Sequence, residues 1–388
     1  MRILEVMECT IGGTRRHLVD LADGLCSAGD EVHLAVSALR MPLFRTDLDR
    51  LTAKGCTVHE VPMVRSISPA TDWGHRRQLE ALLREVEPDI VHTHSSKAGV
   101  LGRSASLATG IGARVHTPHT FAFLFDAMFS AHKRFLFRRI EAHYARRTHR
   151  MIAVSNGESQ TMISSGVVPA ASVRVVPNGV DMSRWSSVAP VKRAQLGIPD
   201  DALIVLVAGL LNSAKGQDLA IQALQMVASP NIHLVIAGDG NDLPMLEALA
   251  GELGVNDRVH FLGWRDDLPA LIAASDVVLL PSRWEGMPYV VLEAMAAGRP
   301  VVATRVDGAR DLVAHKETGL LVDVKDVVGI ANALEQLAGS SPQERASMGR
   351  LGAERIRDEF CIEHMVRATQ AVFTEALAKP AAAVVPSA

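Results

Sequence analysis

Short apolar runs alternate with longer amphipathic segments along almost the whole chain. In the first half the runs are ILEVM, EVHLAV, TVHEV, DIVHTH, ARVHTP, MIAVS and VRVVP. Between them, stretches such as RRHLVDLADGLCSAG and RRQLEALLREVEP repeat apolar residues three and four apart, the period of a helix packed on one side. The pattern restarts in the second half with ALIVLVAGL, NIHLVIAGDG, RVHFLG, DVVLLP, PVVAT and GLLVD. Such runs are apolar on both faces. They predict α/β architecture: parallel sheets covered by helices on both sides.

A break separates the two series. From Pro177 the chain reads PNGVDMSRWSSVAPVKRAQLGIPD, with three prolines, two glycines and a serine pair, which is linker chemistry. The expected organisation is a Rossmann-like domain over 1–180 and a second over 181–360. A terminal helix over 361–378 should cross back to the first domain, and 379–388 should form a disordered tail. Two doubly wound domains joined in this way are expected to face one another across a cleft lined by the carboxyl ends of their strands.

Composition adds a compartment. The 388 residues are 48% hydrophobic and 21% charged, and no apolar run reaches the roughly 18–20 residues needed to span a bilayer. The opening MRILEVM reads as a first strand, not a signal peptide, so a cytoplasmic protein is expected. Cys9, Cys26, Cys56 and Cys361 are scattered without metal-ligand spacing. The net charge of −3 hides an asymmetry: residues 1–180 carry 22 Lys and Arg against 17 Asp and Glu. Much of that excess lies in 132–150, HKRFLFRRIEAHYARRTHR, whose only acid is Glu141. Basic residues interleaved with Phe135, Leu136, Phe137, Ile140 and Tyr144 suit a helix resting on anionic headgroups at the inner membrane face. They equally suit a solvated helix with its apolar stripe turned to the core. No nucleic-acid-binding motif accompanies them.

The densest chemistry is in PSRWEGMPYVVLEAMAAGRPVVAT. A strand ends at Pro281, a loop carries Glu285 and Gly286, and a helix begins near Pro288 with Glu293 in its early part. One carboxylate on a loop and a second beside a helix N-terminus can accept hydroxyl hydrogen bonds from a sugar or a ribose, and the helix amides can take an anion. The same residues also suit a surface loop and a helix-dipole partner. His92-x-His94 and His116-x-x-His119 end neighbouring strands and have metal-ligand chemistry, but no Asp or Cys joins them at short spacing, so no metal site is expected. Gly238-Asp239-Gly240 lacks the third glycine of a dinucleotide fingerprint, which counts against a two-domain dehydrogenase.

The spacing E-x7-E in this strand–loop–helix setting resembles the hallmark of the family-four retaining glycosyltransferases of the GT-B fold (glycosyl transferases group 1). ECTIGGTRRHLVDLA, VHTHSSKAGVLGRSAS, VHTPHTFAF, VVPNGVD, AGDG with LEALA, and TGLLV resemble further family segments in the same order, so the likeness covers nearly the whole chain. It implies that the Gly13 amide approaches the donor's β-phosphate and that His119 reaches the transferred sugar. Lys215, with Gly216, would neutralise the departing diphosphate. Glu285 would hold sugar hydroxyls, Glu293 the ribose, and the amides around Gly286, Met287 and Pro288 would lie beside the phosphates or sugar. Retention would proceed by front-face substitution, the diphosphate itself helping to deprotonate the acceptor.

No cofactor beyond a nucleotide-sugar donor is implied, with a UDP-sugar favoured and GDP-mannose second, and no metal. The acceptor would be a glycan or lipid-linked molecule of surface polysaccharide or glycolipid synthesis, met by His17, Arg103 and the segment FAFLFDAMF. One departure matters. Leu210 stands where the family places an arginine beside Lys215, and losing such a donor costs roughly 3–4 kcal/mol of transition-state stabilisation. Arg15, Arg16 and Arg283 are candidate substitutes. The alternative is a non-catalytic nucleotide-sugar-binding partner of a transferase complex. A sugar-nucleotide epimerase would not be expected to carry the E-x7-E segment.

Overall fold

All thirteen apolar runs form strands in the computed structural model, which describes residues 1–41, 43–125, 129–185 and 188–378. The 379–388 tail lies outside the described residues. The chain divides into two compact units, Met1–Asn178 with the Ile362–Ala378 helix, and Gly179–Cys361.

The first unit contains β1 (Arg2–Met7), β2 (Glu31–Val36), β3 (Thr57–Glu60), β4 (Ile90–His94), β5 (Ala113–Thr117), β6 (Arg150–Ala153) and β7 (Val173–Val175). They lie in the order β3-β2-β1-β4-β5-β6-β7, all parallel. Alternation along β1 feeds two cores. Ile3 and Met7 pack with Leu18, Leu21 and Leu25 of the Gly12–Ser27 helix and with Phe373 of the terminal helix. Leu4 and Val6 pack on the other face with Leu79, Leu83 and Leu101. Helices cover both faces, which is why the strand sequences read as continuous apolar runs. Val366 of the terminal helix occupies the space a side chain at Gly24 would need, so this helix seats closely on the first one.

The second unit repeats the plan with β8 (Leu203–Ala208), β9 (Ile232–Ala237), β10 (Val259–Gly263), β11 (Val277–Leu280), β12 (Val301–Thr304) and β13 (Gly319–Val322). The order is β10-β9-β8-β11-β12-β13, again parallel. Each sheet is wound outwards from a central strand, so its order reverses once, between β1 and β4 in the first unit and between β8 and β11 in the second. At that point the loops leaving the two strands diverge to opposite faces and open a crevice at the carboxyl edge.

Candidate active site

In the second unit the expected donor residues converge on the β8–β11 crevice. Lys215, on the loop after β8, places Nζ 2.6 Å from Glu285 Oε1 on the loop after β11. Ser282 Oγ donates to the same carboxylate oxygen at 2.8 Å. Both charged side chains are largely buried but reachable, at 31% and 12% exposure. The loops are locked together behind the pair. Arg283 N–H donates to Ala214 O at 2.8 Å, its guanidinium donates to Ser213 O, and both its terminal nitrogens hold Asp218. Thr304 Oγ1 fixes the Ser282 carbonyl from β12.

Gly216 has φ +70°, and a Cβ there would run into the Pro281 carbonyl, so only glycine lets the two loops approach. Pro288 is the N-cap of the Tyr289–Ala296 helix. Met287 is buried beside it, and Glu293 lies in that helix's second turn, also buried. Gly308 was not foreseen. A side chain there would strike Gly286 O and the Met287 backbone, so the Asp307–Leu312 helix rests directly against the Gly286–Met287 turn.

In the first unit, Gly13 opens the Gly12–Ser27 helix and is exposed, and the N-cap Ile11 provides no side-chain cap, so the first-turn amides are open to a ligand. His119 follows β5 with φ +53°, and Thr120 has φ +90°. Glu158, unforeseen, holds this bend: Oε1 accepts from Thr120 N–H at 2.6 Å and Oε2 from Val154 N–H at 2.7 Å. Ser155 in turn caps the helix on which Glu158 sits.

A polar cluster that the spacing of the sequence did not disclose lies under His119. Glu5, fully buried in β1, is level with His92 in β4, and its carboxylate bonds His92 Nδ1 and, at 2.6 Å, His94 Nε2. His94 Nδ1 faces His119 Nε2 at 3.2 Å, and His17 Nδ1 bonds Asn178 Oδ1 at 2.9 Å. Burial alone would push Glu5 up, but its contacts with His92 and His94 outweigh it and hold the carboxyl at about 2. Burial, with neighbouring imidazoles, lowers His17 to about 3 and His94 to about 4, and holds His119 well below the usual range. The cluster therefore sets the Glu5 carboxylate beside imidazoles at His17, His94 and His119 that resist protonation. The visible signal was a lone acid inside the apolar run ILEVM.

Two acceptor expectations are corrected. Arg103 is fully buried, holding both oxygens of Glu141 at 2.8 and 2.9 Å and donating Nε–H to Gly99 O. His17 is only 3% exposed. Of FAFLFDAMF, Phe121 and Phe123 pack in a small core, Leu124 is exposed, and 126–128 lie outside the described residues. Arg15 is paired with Asp47 and Arg16 with Asp20. The Ala131–Ala145 helix turns Phe137 to that core but exposes Phe135 and Leu136, with the Arg139 guanidinium 5.8 Å from the Phe135 ring.

Residues 11–184 match Glycosyltransferase Family 4 and residues 188–355 match Glycosyl transferases group 1. The chain is 33% identical to the Escherichia coli UDP-Gal:alpha-D-GlcNAc-diphosphoundecaprenol alpha-1,3-galactosyltransferase, over 70% of this chain and 72% of that protein. The chain belongs to the family-four glycosyltransferases. It is also 30% identical to the D-inositol 3-phosphate glycosyltransferase of Acidothermus cellulolyticus, over 97% of this chain and 88% of that one. Anabaena HepE, solved in complex with UDP and glucose, superposes with a TM-score of 0.82 at 25% identity, over 96% of this chain and 99% of that one. The fold of this glycosyltransferase is accordingly GT-B.

The glycosyltransferase's histidine cluster makes its stability depend on pH. Each folded-state value lies below the ordinary one, 4.5 for Glu and 6.5 for His, so the unfolded chain binds more protons across this window. Urea unfolding followed by circular dichroism should show stability falling from pH 6.5 to pH 4, by up to about 1.4 kcal/mol per pH unit for each proton taken up only on unfolding. His94→Gln should flatten that slope. Equal slopes in the wild type and the variant would contradict the assignment.

Proposed function

We infer that this chain is a retaining glycosyltransferase that moves a sugar from a UDP-sugar, with GDP-mannose as the second choice, to a glycan or lipid-linked acceptor in cell-surface polysaccharide or glycolipid synthesis. The observation that carries the reading is the Lys215–Glu285 pair in the β8–β11 crevice. One group is the cation a leaving diphosphate needs. The other is a carboxylate whose Oε2 makes no hydrogen bond among the described residues and is open to sugar hydroxyls. A donor entering the crevice takes Lys215 onto its diphosphate and leaves Glu285 to the sugar. The charges developing in the transition state then meet groups already fixed in place.

Glu293 and the amides around Gly286, Met287 and Pro288 keep the ribose and phosphate roles the family resemblance implies, as do Gly13 for the β-phosphate and His119 for the transferred sugar. The choice of UDP rests on the E. coli relative's UDP-Gal donor and on HepE's complexes with UDP and UDP-glucose. The acceptor class rests on that relative's diphosphoundecaprenol substrate. Front-face substitution with the diphosphate as base requires no second protein carboxylate at the anomeric carbon, unlike a glycosidase.

A second reading is favoured by Leu210. With no arginine there, Lys215 is the one cation from this loop, and Arg283 is already held by Asp218. A partner subunit that binds donor without turning it over would have this arrangement. The deciding assay is release of free UDP or GDP across a panel of nucleotide sugars, with a hydrolysis control. Release from one donor, falling at least about 100-fold in Glu285→Ala, supports transfer. Binding without release in the wild type, restored by Leu210→Arg, supports the partner reading.

The basic helix gives the enzyme a route to a membrane-borne acceptor through Phe135, Leu136 and the cations around them. Sedimentation with phosphatidylglycerol vesicles should capture the protein at low salt and lose it as salt rises. Replacing Arg138 and Arg139 by glutamine should weaken capture several-fold, and capture indifferent to both salt and substitution would refute the contact.

A further inference from the structure

Three imidazoles meet at the carboxyl edge of the first sheet in an arrangement that sugar transfer does not require. His17 comes from the Gly12–Ser27 helix, His94 ends β4, and His119 follows β5, and one ring nitrogen of each lies within 4.8 Å of the other two. His94 Nδ1 and His119 Nε2 are 3.2 Å apart. Two nitrogens on one tetrahedral zinc ion, each at about 2.0–2.1 Å, stand about 3.3 Å from one another. The His17 ring stands edge-on to both others, with its centroid 4.6 Å from that of His119. Its Nε2 is buried with no hydrogen-bond partner among the described residues, an unmet cost at a residue only 3% exposed.

The outer nitrogens are already held. His94 Nε2–H donates to the Glu5 carboxylate at 2.6 Å, and His17 Nδ1–H donates to Asn178 Oδ1 at 2.9 Å. Those bonds leave the lone pairs of His94 Nδ1 and His17 Nε2 pointing inwards, the outer support that metal-ligating histidines have. Glu5 supplies one buried negative charge behind the group. His119 is only partly buried, which gives an ion a way in and leaves a fourth coordination position for water or an anion. The neighbouring Glu5–His92–His94 group is saturated instead, since Glu5 holds both histidines and His92 Nε2 bonds Thr117 Oγ1.

We propose that His17 Nε2, His94 Nδ1 and His119 Nε2 form a site for a divalent first-row cation of zinc-like preference, and that occupancy switches transfer off by withdrawing His119. The binding rests on the geometry alone; only the switching rests on the role assigned to His119 above. No proton is released on binding. The single proton of His119 moves from Nε2, which faces the His94 Nδ1 lone pair, to Nδ1, so that Nε2 turns from donor to ligand.

Titrating untagged, chelator-treated protein with Co2+ tests the site directly. The visible d–d bands of four-coordinate cobalt should saturate at one ion per chain and be bleached by Zn2+. His17→Gln should weaken binding by more than about 100-fold, beyond what loss of an outer hydrogen-bond partner costs. Because His17 is in the core, His119→Gln on the loop provides the same reading without opening it, with circular dichroism checking both folds. His233→Gln, in the second unit, should change nothing. Absent bands in the wild type, or bands at full strength in folded His119→Gln, would overturn the site. Zn2+ should also slow wild-type donor turnover, reversibly by chelator. Stoichiometric binding without inhibition would overturn the switch and take His119 out of the transfer chemistry, leaving the site itself intact.

Discussion

In a parallel sheet wound outwards from its centre, the strand order reverses once, and only there do two adjacent loops part to expose the carboxyl edge. Both units put their charged and titratable groups at that reversal. In the second unit the loops after β8 and β11 carry Lys215 and Glu285, two opposite charges held 2.6 Å apart. In the first, β1 and β4 carry Glu5, His92 and His94, one carboxylate hydrogen-bonded to two imidazoles. The same topology thus yields a polar crevice suited to an anionic donor and a drier one suited to uncharged or metal-ligating nitrogen. Gly13, Lys215 and Glu285 hang from segments whose divergence the sheet order dictates, and His119, after β5, joins them from the next strand along.

The sheets were legible because strands buried on both faces must be apolar throughout, and no other element of this chain repeats that pattern at such short spacing. The terminal helix was legible for a similar reason. IEHMVRATQAVFTEALA carries an apolar stripe that needs a surface, and the first unit's β1 face provides one through Phe373. Glu285 and Lys215 were nameable only through the family resemblance, since nothing in the spacing of residues 70 apart in sequence says that they pair.

Side-chain direction is what the sequence hid. Arg103 and His17 looked like surface groups, yet each is buried because a distant segment supplies its partner, Glu141 for one and Asn178, 161 residues away, for the other. Nothing local marks Glu5 as a partner of histidines, because they lie 87 and 89 residues on. The basic helix divides its apolar residues between core and solvent, with Phe137 inside and Phe135 outside, a partition that period alone does not determine. Gly308 carries no local signal, and Ser155-x-x-Glu158 marks a helix start without disclosing that the Glu158 carboxylate braces a neighbouring loop.

The absence of an arginine at Leu210 concentrates the electrostatics of the donor crevice. Arg283 is committed to Asp218, and Lys215 is held in place by the Glu285 carboxylate. Calorimetric titration of UDP and of the full UDP-sugar tests whether this one ion pair divides between the two halves of the donor. Lys215→Met should weaken both ligands by the same factor, whereas Glu285→Gln should weaken the UDP-sugar and leave UDP as tight or tighter. Equal loss of UDP and UDP-sugar in Glu285→Gln, or undiminished UDP binding in Lys215→Met, would contradict it.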